Sequence, residues 1–230
     1  MVSQSQAAAR RRRGPRGSAG KTRAAIVEAA RAEFAARGFD GATVDRIAAH
    51  AGVNKAMLYY HFDSKAALYR EILRDLFGAV GGSVAAVRQA GGPPADQVRR
   101  FIEAVAREAL ARPHFPAIWL REVAEGGRHL DASIVSEMRR VVDTLAAILA
   151  DGHASGAFVD AHPLITQVTI VAPLLFFVAS AALRERVSHL VPATFQAAGL
   201  DAMVTHVQRV TLAMLTPPPA ARPASPKGRS

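Results

Sequence analysis

The sequence TVDRIAAHAGVNKAMLYYHFDSK, residues 43–65, contains the start and stop signals of two short helices joined by a tight turn. Thr43 is placed to cap a first helix that begins at Val44, because its hydroxyl can accept a hydrogen bond from a free backbone N–H group. Gly52 tolerates positive φ in the turn, and Asn54 is placed to cap the second helix. The stretch therefore predicts a helix-turn-helix motif.

The second helix of this pair has two distinct sides. One side, together with the first helix and the turn, supplies the apolar contacts that would fix the angle between the helices: Ile47, Ala48, Val53, Leu58 and Phe62. The other side presents Lys55, Ala56, Met57, Tyr59, Tyr60 and His61. A long cation, two phenols and an imidazole can reach phosphates, and small or slim residues admit a helix to base edges in the major groove. This side predicts a DNA-binding helix with Lys55 as the main candidate for base contact, although any single aromatic residue would serve a helical core equally well.

The helix before the motif carries its own signals. Apolar residues recur at spacings of three and four from Ile26 to Phe34, which gives one stripe along a helix. Gly38 followed by apolar Phe39 is typical of a left-handed C-terminal cap, in which Phe39 folds back on the last turn. Asp45 lies in the first turn of the next helix, where the helix dipole favours a negative charge. Three consecutive helices are thus predicted in this part of the chain.

The longer segment of residues 23–73 resembles the N-terminal DNA-binding domain of the tetracycline-repressor (TetR) family of transcriptional regulators. The resemblance rests on the following motifs: Arg37-Gly38-Phe39, Thr43, Ala51-Gly52-Val53, the run Leu58-Tyr59-Tyr60-His61-Phe62, and Lys65. It implies that the second helix is the recognition helix and that DNA contacts come from Thr43, Lys55, Ala56, Met57, Tyr59, Tyr60, His61 and Lys65. We add Arg46 to this candidate set. Family members commonly carry a small or hydroxyl residue where this chain has Met57.

Positive charge is concentrated in the N-terminal part of the chain. Residues 1–70 hold 13 Lys or Arg and 5 Asp or Glu, whereas residues 71–230 hold 16 and 14. Five arginines lie among Ser, Gln, Gly and Pro before the first acidic residue: Arg10, Arg11, Arg12, Arg13 and Arg16. This composition predicts a disordered basic arm over residues 1–20. The arm would enter a neighbouring minor groove, bind phosphates or remain a solvated tail, and composition does not separate these roles.

The length of 230 residues leaves room for a second domain beyond the DNA-binding module. Abundant Ala and Leu, few aromatic residues and long three-to-four periodicities favour helices over strands. We therefore predict an all-α chain, with a three-helix helix-turn-helix domain over residues 21–66 and a helical ligand-binding and dimerisation domain over residues 67–216. The helix that opens the second domain is predicted to end near Val80, before a pair of glycines. The proline-rich residues 217–230 are predicted to be disordered.

The uncharged run PLITQVTIVAPLLFFVASAAL, residues 163–183, is nearly long enough to cross a membrane. Its Gln, Thr and Ser residues and the internal Pro173 dilute the run, so we interpret it as a buried helix and predict no membrane contact. In the family that the chain resembles, this region helps to form a four-helix dimer interface. We therefore expect a homodimer that rests on Leu164–Leu183 and Asp201–Leu215.

A dimer would carry two DNA-reading heads about 34 to 36 Å apart, which suits successive major grooves of B-DNA and predicts a roughly palindromic operator. The resemblance also implies ligand-controlled repression, in which a small molecule bound in the C-terminal domain favours a conformer that no longer fits the operator. The candidate ligand-binding residues are Phe115, Trp119, Met138, His153, Phe158, Phe176 and Phe177. His114 and His129 are further polar candidates. The pattern indicates a largely apolar effector, although such residues at helical spacing more often belong to a core.

Other functional classes receive less support from the sequence. There is no Cys and no GxSxG, HExxH, GxxxxGK or GxGxxG motif, so we predict neither an enzyme nor a cofactor. Glu122, Glu125 and His129 have the spacing of a metal site, but Gly126 and Gly127 are expected to break that helix, and no metal is predicted. An RNA-binding or nucleoid-associated protein that relies on its basic arm is an alternative, and it would lack operator specificity. The absence of Cys and of an export signal predicts a cytoplasmic protein.

Overall fold

The structure, a computed structural model, describes residues 16–192 and 198–218. Within these ranges the regular secondary structure is helical and no strand is present, so the predicted all-α fold is confirmed. The helices are α1 (Arg16–Gly41), α2 (Val44–His50), α3 (Lys55–His61), α4 (Lys65–Ala90), α5 (Pro94–Ala111), α6 (Phe115–Ala124), α7 (Ala132–Ala154), α8 (Pro163–Ala179), α9 (Ala181–Val187) and α10 (Leu200–Leu215). One turn of 3-10 helix, Ser188–Leu190, follows α9.

The chain divides into two compact units, and each is built from two separate segments. Within the described residues, the first unit comprises residues 16–79 and Arg112–Met138, and the second comprises Val80–Ala111 and residues 139–192 and 198–218. The predicted boundary after residue 66 therefore differs from the observed division. The difference has a packing cause, because α6 packs against α1 and belongs with the helix-turn-helix rather than with the second unit.

The core of the first unit forms where α1 packs on α2, α3 and α6. Its fully buried apolar side chains include Ile26, Phe34, Ile47, Leu58 and Leu68. Gly38 adopts φ 70°, a value that side chains resist, and the rings of Phe34 and Phe39 then lie 6.2 Å apart. Phe39 folds back as predicted, although one more helical turn continues to Gly41.

The N-terminal helix starts earlier than the composition predicts. α1 begins at Arg16, so residues 16–20, which were assigned to the disordered arm, are helical. Pro15 is the last proline before the helix, and every later residue of α1 keeps the backbone N–H group that a helix needs. The rest of the predicted arm, residues 1–15, lies outside the described residues, as do residues 219–230 of the predicted C-terminal tail.

The fourth helix also runs further than predicted. α4 does not end near Val80 but continues through Gly81 and Gly82 to Ala90. A glycine in a helix interior costs about 1 kcal/mol relative to alanine, which is a modest penalty. Val80 and Val84 are buried in the core of the second unit, and their packing offsets that cost.

The second unit is built around α5, α8 and α10, which pack against one another. Its fully buried apolar side chains include Phe101, Ile102, Leu145, Ile148, Ile170, Leu174 and Leu215. Phe158 closes this core against Gly152 of α7, where an added Cβ atom would lie 2.0 Å from the Phe158 ring. Gly152 is therefore required by the close approach of the ring.

The uncharged run of residues 163–183 forms two helices rather than the single helix predicted for it. α8 ends at Ala179 and is capped by Ser180, whose backbone N–H group donates a hydrogen bond to the carbonyl oxygens of Phe176 and Val178. α9 begins at the next residue, Ala181. In the described part of the chain, no single helix has the length and hydropathy of a membrane span; α8 and the segment Ala181–Leu190 meet those criteria only as a pair bent by 51°.

Candidate nucleic-acid interface

The predicted caps and turn of the helix-turn-helix are present. The Thr43 hydroxyl accepts a hydrogen bond from the Arg46 backbone N–H at 3.3 Å, and Asn54 Oδ1 accepts one from the Met57 N–H at 2.8 Å. Gly52 adopts φ 67° in the turn, as predicted. The Val53 N–H donates to the Ala48 carbonyl at 3.0 Å, which fastens the turn to α2. The start of α3 is thus fixed by hydrogen bonds on both sides.

Helix α3 has one buried and one exposed side. Leu58 is completely buried, and Phe62 just after the helix is also in the core. On the other side the Tyr60 side chain is 78% exposed and that of Tyr59 is 46% exposed, while Lys55, Ala56 and Met57 are also exposed. A helix held by one deep apolar anchor can therefore present two phenols, a thioether and an ammonium group to a partner.

Lys55 has an acidic neighbour that sequence reasoning missed as part of the site. Its Nζ atom lies 3.1 Å from Asp45 Oδ1 and 3.2 Å from Asp45 Oδ2. The two residues lie in the first turns of α3 and α2. The sequence analysis related Asp45 only to the helix dipole. The signal that could have revealed the pair is an acidic residue among candidate DNA-binding residues of opposite charge.

Arg46 lies beside a buried carboxylate. Its Nη1 atom is 3.6 Å from Glu33 Oε1, and Glu33 is also 3.0 Å from Arg37 Nε and 3.8 Å from His50 Nδ1. Two arginines therefore compensate a carboxylate that is only 3% exposed, and the His50 ring lies beside it. This arrangement ties α1 to α2, and half of the Arg46 side chain remains exposed.

Lys65 and His61 are more enclosed than the other candidates. The Lys65 ammonium donates to the Phe39 carbonyl at 2.8 Å and the Ala42 carbonyl at 3.0 Å, and it lies 4.2 Å from the centre of the Phe39 ring. Lys65 thus fastens the start of α4 to the end of α1. The His61 ring is half-buried and packs edge-on against Tyr60, with ring centres 5.1 Å apart.

A buried polar network links α4 and α6 within the first unit. Glu122 is completely buried, and its carboxylate accepts hydrogen bonds from the Tyr69 hydroxyl at 3.0 Å and the His129 backbone N–H at 2.8 Å. The His129 Nδ1 atom also lies 3.0 Å from Glu122 Oε2. Burial and the neighbouring Glu122 carboxylate raise the pKa of the Tyr69 phenol, which keeps it protonated as a donor.

The same network contains the three residues whose spacing in the sequence is that of a metal site. Ligand atoms of Glu122, Glu125 and His129 lie within 4.8 Å of one another. Gly126 and Gly127 end the helix with positive φ, as expected, but the loop then returns His129 to Glu122. Both carboxylates already have partners. Glu125 pairs with Arg128 at 2.8 Å, and Glu122 accepts the hydrogen bonds from Tyr69 and His129. The geometry therefore supports a hydrogen-bonded structural network at this position.

The predicted ligand-binding residues are divided between the two units. Phe115, Trp119 and Met138 belong to the first unit, where the rings of Phe115 and Trp119 both pack edge-on against Phe77. Phe115 is buried, and Trp119 and Met138 are partly buried. Phe77 thus gathers two of the predicted residues into an aromatic cluster.

The other predicted ligand-binding residues lie in the second unit. Phe158 is a core side chain, Phe176 is exposed, and Phe177 packs under the Arg184 guanidinium at 3.8 Å. His153 lines an open depression of about 270 Å³ together with Ala146, Leu149, Ala150, Asp160, Ala161 and Pro163. Within this unit the depression contains His153 alone of the predicted residues. The sequence analysis missed Asp160 as a second polar group that lines the depression.

Solved structures of other regulators share the fold. A TetR family transcription regulator from Marinobacter aquaeolei VT8 superposes with a TM-score of 0.68 at 19% identity, covering 88% of this chain and 99% of that one. The fatty acid degradation regulator FadR from Bacillus halodurans gives a TM-score of 0.65 at 17% identity, covering 83% and 94%. These likenesses support the all-helical arrangement of both units.

Sequence relatives include regulators of transcription. The chain is 27% identical over 161 residues to the HTH-type transcriptional repressor NicS of Pseudomonas putida, spanning 69% of this chain and 76% of the relative. It is 28% identical over 139 residues to the HTH-type transcriptional regulator RutR of Escherichia coli, spanning 60% and 65%. The model of bacterial regulatory proteins of the tetR family matches residues 26–72, and that of the tetracyclin repressor-like C-terminal domain matches residues 94–209. The chain therefore belongs to the TetR family of non-enzymatic, DNA-binding transcriptional regulators.

Proposed function

We propose that this regulator is a homodimeric repressor that binds a palindromic operator and releases it when a small, largely apolar molecule binds its C-terminal domain. The observation that carries the proposal is the exposed side of α3, where Lys55, Met57, Tyr59 and Tyr60 surround a helix anchored by buried Leu58. Large side chains that remain exposed on a rigid, capped helix suit a partner surface. The nearby cations favour a polyanionic partner such as DNA.

We propose that some of the candidate residues contact DNA directly and that others also hold the helices of the motif in place. Lys55 and Met57, in the first turn of α3, are placed for base edges, whereas Tyr59 and Tyr60 are placed for phosphates. Thr43 and Ala56 are exposed beside them. Arg46, His61 and Lys65 already have intramolecular contacts, and they would support the interface by holding the helices as well as by touching DNA.

An exposed apolar face in the second unit supports the proposed homodimer. On α8 the Ile165 side chain is 63% exposed and that of Phe176 is 65% exposed, with Leu164 and Val168 also exposed. Val210 and Met214 of α10 are exposed as well, one turn apart. Burial of such side chains contributes roughly 25 cal/mol per Å². A second copy of the chain would cover this face with matching helices and form a four-helix interface.

The effector is proposed to bind the second unit. The His153 depression is lined by alanine, leucine and proline side chains and by two polar groups, His153 and Asp160. At about 270 Å³ it is slightly smaller than typical ligand pockets, which start near 300 Å³. It would accept a small apolar molecule that carries one polar group. Such a molecule acts only to the extent that it binds the DNA-free conformer more tightly.

The proposal is tested by selecting bound duplexes from a random DNA library at physiological salt. The wild-type protein is compared with Lys55→Ala and Tyr60→Ala. We expect the wild type to enrich one palindrome and both variants to lose or weaken that enrichment. A repressor should prefer its operator by about 10³-fold or more over random duplex.

Two results would contradict the proposal. A wild-type protein that enriches no sequence would favour the non-specific, arm-driven alternative. A palindrome bound equally well by both variants would exclude α3 as the reading surface.

The effector is sought in a separate experiment, in which small apolar compounds are added to the operator complex. His153→Ala is compared with the wild type and should lose the response to the compound.

A further inference from the structure

The ion pair between Lys55 and Asp45 places a carboxylate on the surface that is proposed to face DNA. Both carboxylate oxygens of Asp45 lie within hydrogen-bond distance of the same ammonium group, at 3.1 and 3.2 Å. The two side chains come from different helices of the motif and remain 52% and 71% exposed. Both groups are therefore accessible to a partner that contacts the start of α3.

The carboxylate has an electrostatic cost in this position. Phosphates are negatively charged, so an acidic side chain beside the leading cation of the recognition helix weakens attraction to any duplex. It returns little stability, because exposed ion pairs contribute little to folding. Neither general DNA affinity nor folding accounts for the pair.

Orientation of the ammonium group does account for it. A lysine is a flexible point charge with several rotatable bonds, and on its own it binds whichever acceptor is near. A carboxylate that holds Nζ through both oxygens restricts those rotamers and disfavours a swing towards phosphates. The remaining N–H groups can then donate to a base edge, such as O6 and N7 of guanine.

We propose that Asp45 is a specificity-determining positioning residue, which orients Lys55 for a base edge and lowers affinity for DNA in general. This inference rests on the proposed function, since it requires a preferred operator. It predicts that removing the charge of Asp45 strengthens binding to random duplex while it weakens discrimination.

The test compares dissociation constants for the selected operator and for a random duplex of equal length at the same salt concentration. Asp45→Asn is expected to bind the random duplex more tightly and to lower the operator-to-random ratio about tenfold, the value of one good base contact. Asp75→Asn on α4 is the matched control, because it changes the net charge equally and Asp75 lies 4.0 Å from Arg31 rather than beside α3. The control should leave the ratio unchanged. Asp45→Ser repeats the measurement if Asp45→Asn fails to fold.

The Lys55→Met background shows whether Asp45 acts through Lys55. Lys55→Met removes the ammonium and keeps an apolar stem, so adding Asp45→Asn should not lower the ratio further. An equal loss in both backgrounds would mean that Asp45 acts on its own, and it would overturn the inference. If Asp45→Asn alone leaves the operator-to-random ratio unchanged, Asp45 acts only by repelling DNA in general, and the inference is overturned. A wild type with no preferred duplex would refute the proposed function and this inference together.

Discussion

Helices α3 and α8 both leave large apolar side chains exposed, but their surroundings differ. On α3 the exposed Tyr59 and Tyr60 share the helix with the exposed cation Lys55. On α8 the exposed residues stand on a helix without any charged residue. Exposure alone therefore does not identify a partner, and the charge around the exposed side chains does. The α3 surface suits a wet, polyanionic partner, whereas the α8 surface suits an apolar one.

The largest effect is expected from placing a charge on the α8 surface. Val168→Glu should weaken dimerisation by about 4 kcal/mol, because the new carboxylate would be buried without a partner in the interface. Sedimentation at micromolar concentration should then return a monomer with reduced operator affinity. Leu110→Glu on α5 changes another exposed apolar residue and should leave the dimer intact. A Val168→Glu dimer as tight as the wild type would remove α8 from the interface.

The next effect concerns the anchor beneath the α3 surface. Leu58→Ala should lower the free energy of unfolding by about 3 kcal/mol, because it opens a cavity at a completely buried site. Chemical denaturation measures this loss. Tyr60→Ala is the matched control on the exposed side of the same helix and should leave stability nearly unchanged while it weakens operator binding. Equal destabilisation by both variants would contradict the assignment of a buried and an exposed side.

A smaller effect is expected in the core behind the α8 surface. Gly152→Ala should destabilise the second unit by about 2 kcal/mol, since the new methyl group would collide with the Phe158 ring. Thermal unfolding of Gly152→Ala is compared with that of the Gly152→Ala and Phe158→Ala double variant. The double variant should lose less than the sum of the single changes, because the smaller side chain removes the collision. Strict additivity would show that the two positions do not interact.

The smallest effect lies outside both surfaces, at the start of α7. Hydrogen bonds from Ser133 and the Ile134 N–H hold the pKa of Asp131 below its ordinary value of 3.8. The resulting stability is present above that value and is lost as the pH falls through the lower folded pKa. Asp131→Ala should cost about 1 kcal/mol at neutral pH through loss of the helix cap. Asp131→Asn keeps a capping oxygen and should retain most of the stability but lose this pH dependence in acid denaturation.

Sequence reasoning succeeded where a short stretch of chain determines the structure. Thr43, Asn54, Gly38 and Gly52 act through hydrogen bonds or backbone angles within a few residues, and each does what the sequence predicts. Family resemblance then implied that the second helix of the motif is the recognition helix. The helix proposed to read DNA is therefore predictable from the sequence alone.

Features that depend on distant residues were not predicted. Glu122 meets Tyr69 across 53 positions, and α6 joins α1 rather than the second unit. The Asp45–Lys55 pair depends on the angle between two helices, which periodicity does not specify. The path of α4 through Gly81 and Gly82 was missed because propensity predicts a break that buried neighbours prevent. The candidate ligand residues were likewise chosen by type, and the structure distributes them over two units.

The discontinuity of the first unit has a consequence for the protein's synthesis. The ribosome completes the helix-turn-helix first, but α6 and the loop with His129 follow only after the intervening segment Val80–Ala111. At about 5–20 residues per second, the nascent DNA-reading part waits on the order of seconds for these partners. During that interval Phe39 lacks the His129 ring that lies 4.1 Å away in the finished protein. A nascent chain that ends before α6 would thus contain an incomplete DNA-binding unit, which would be prone to binding by chaperones and cleavage by proteases.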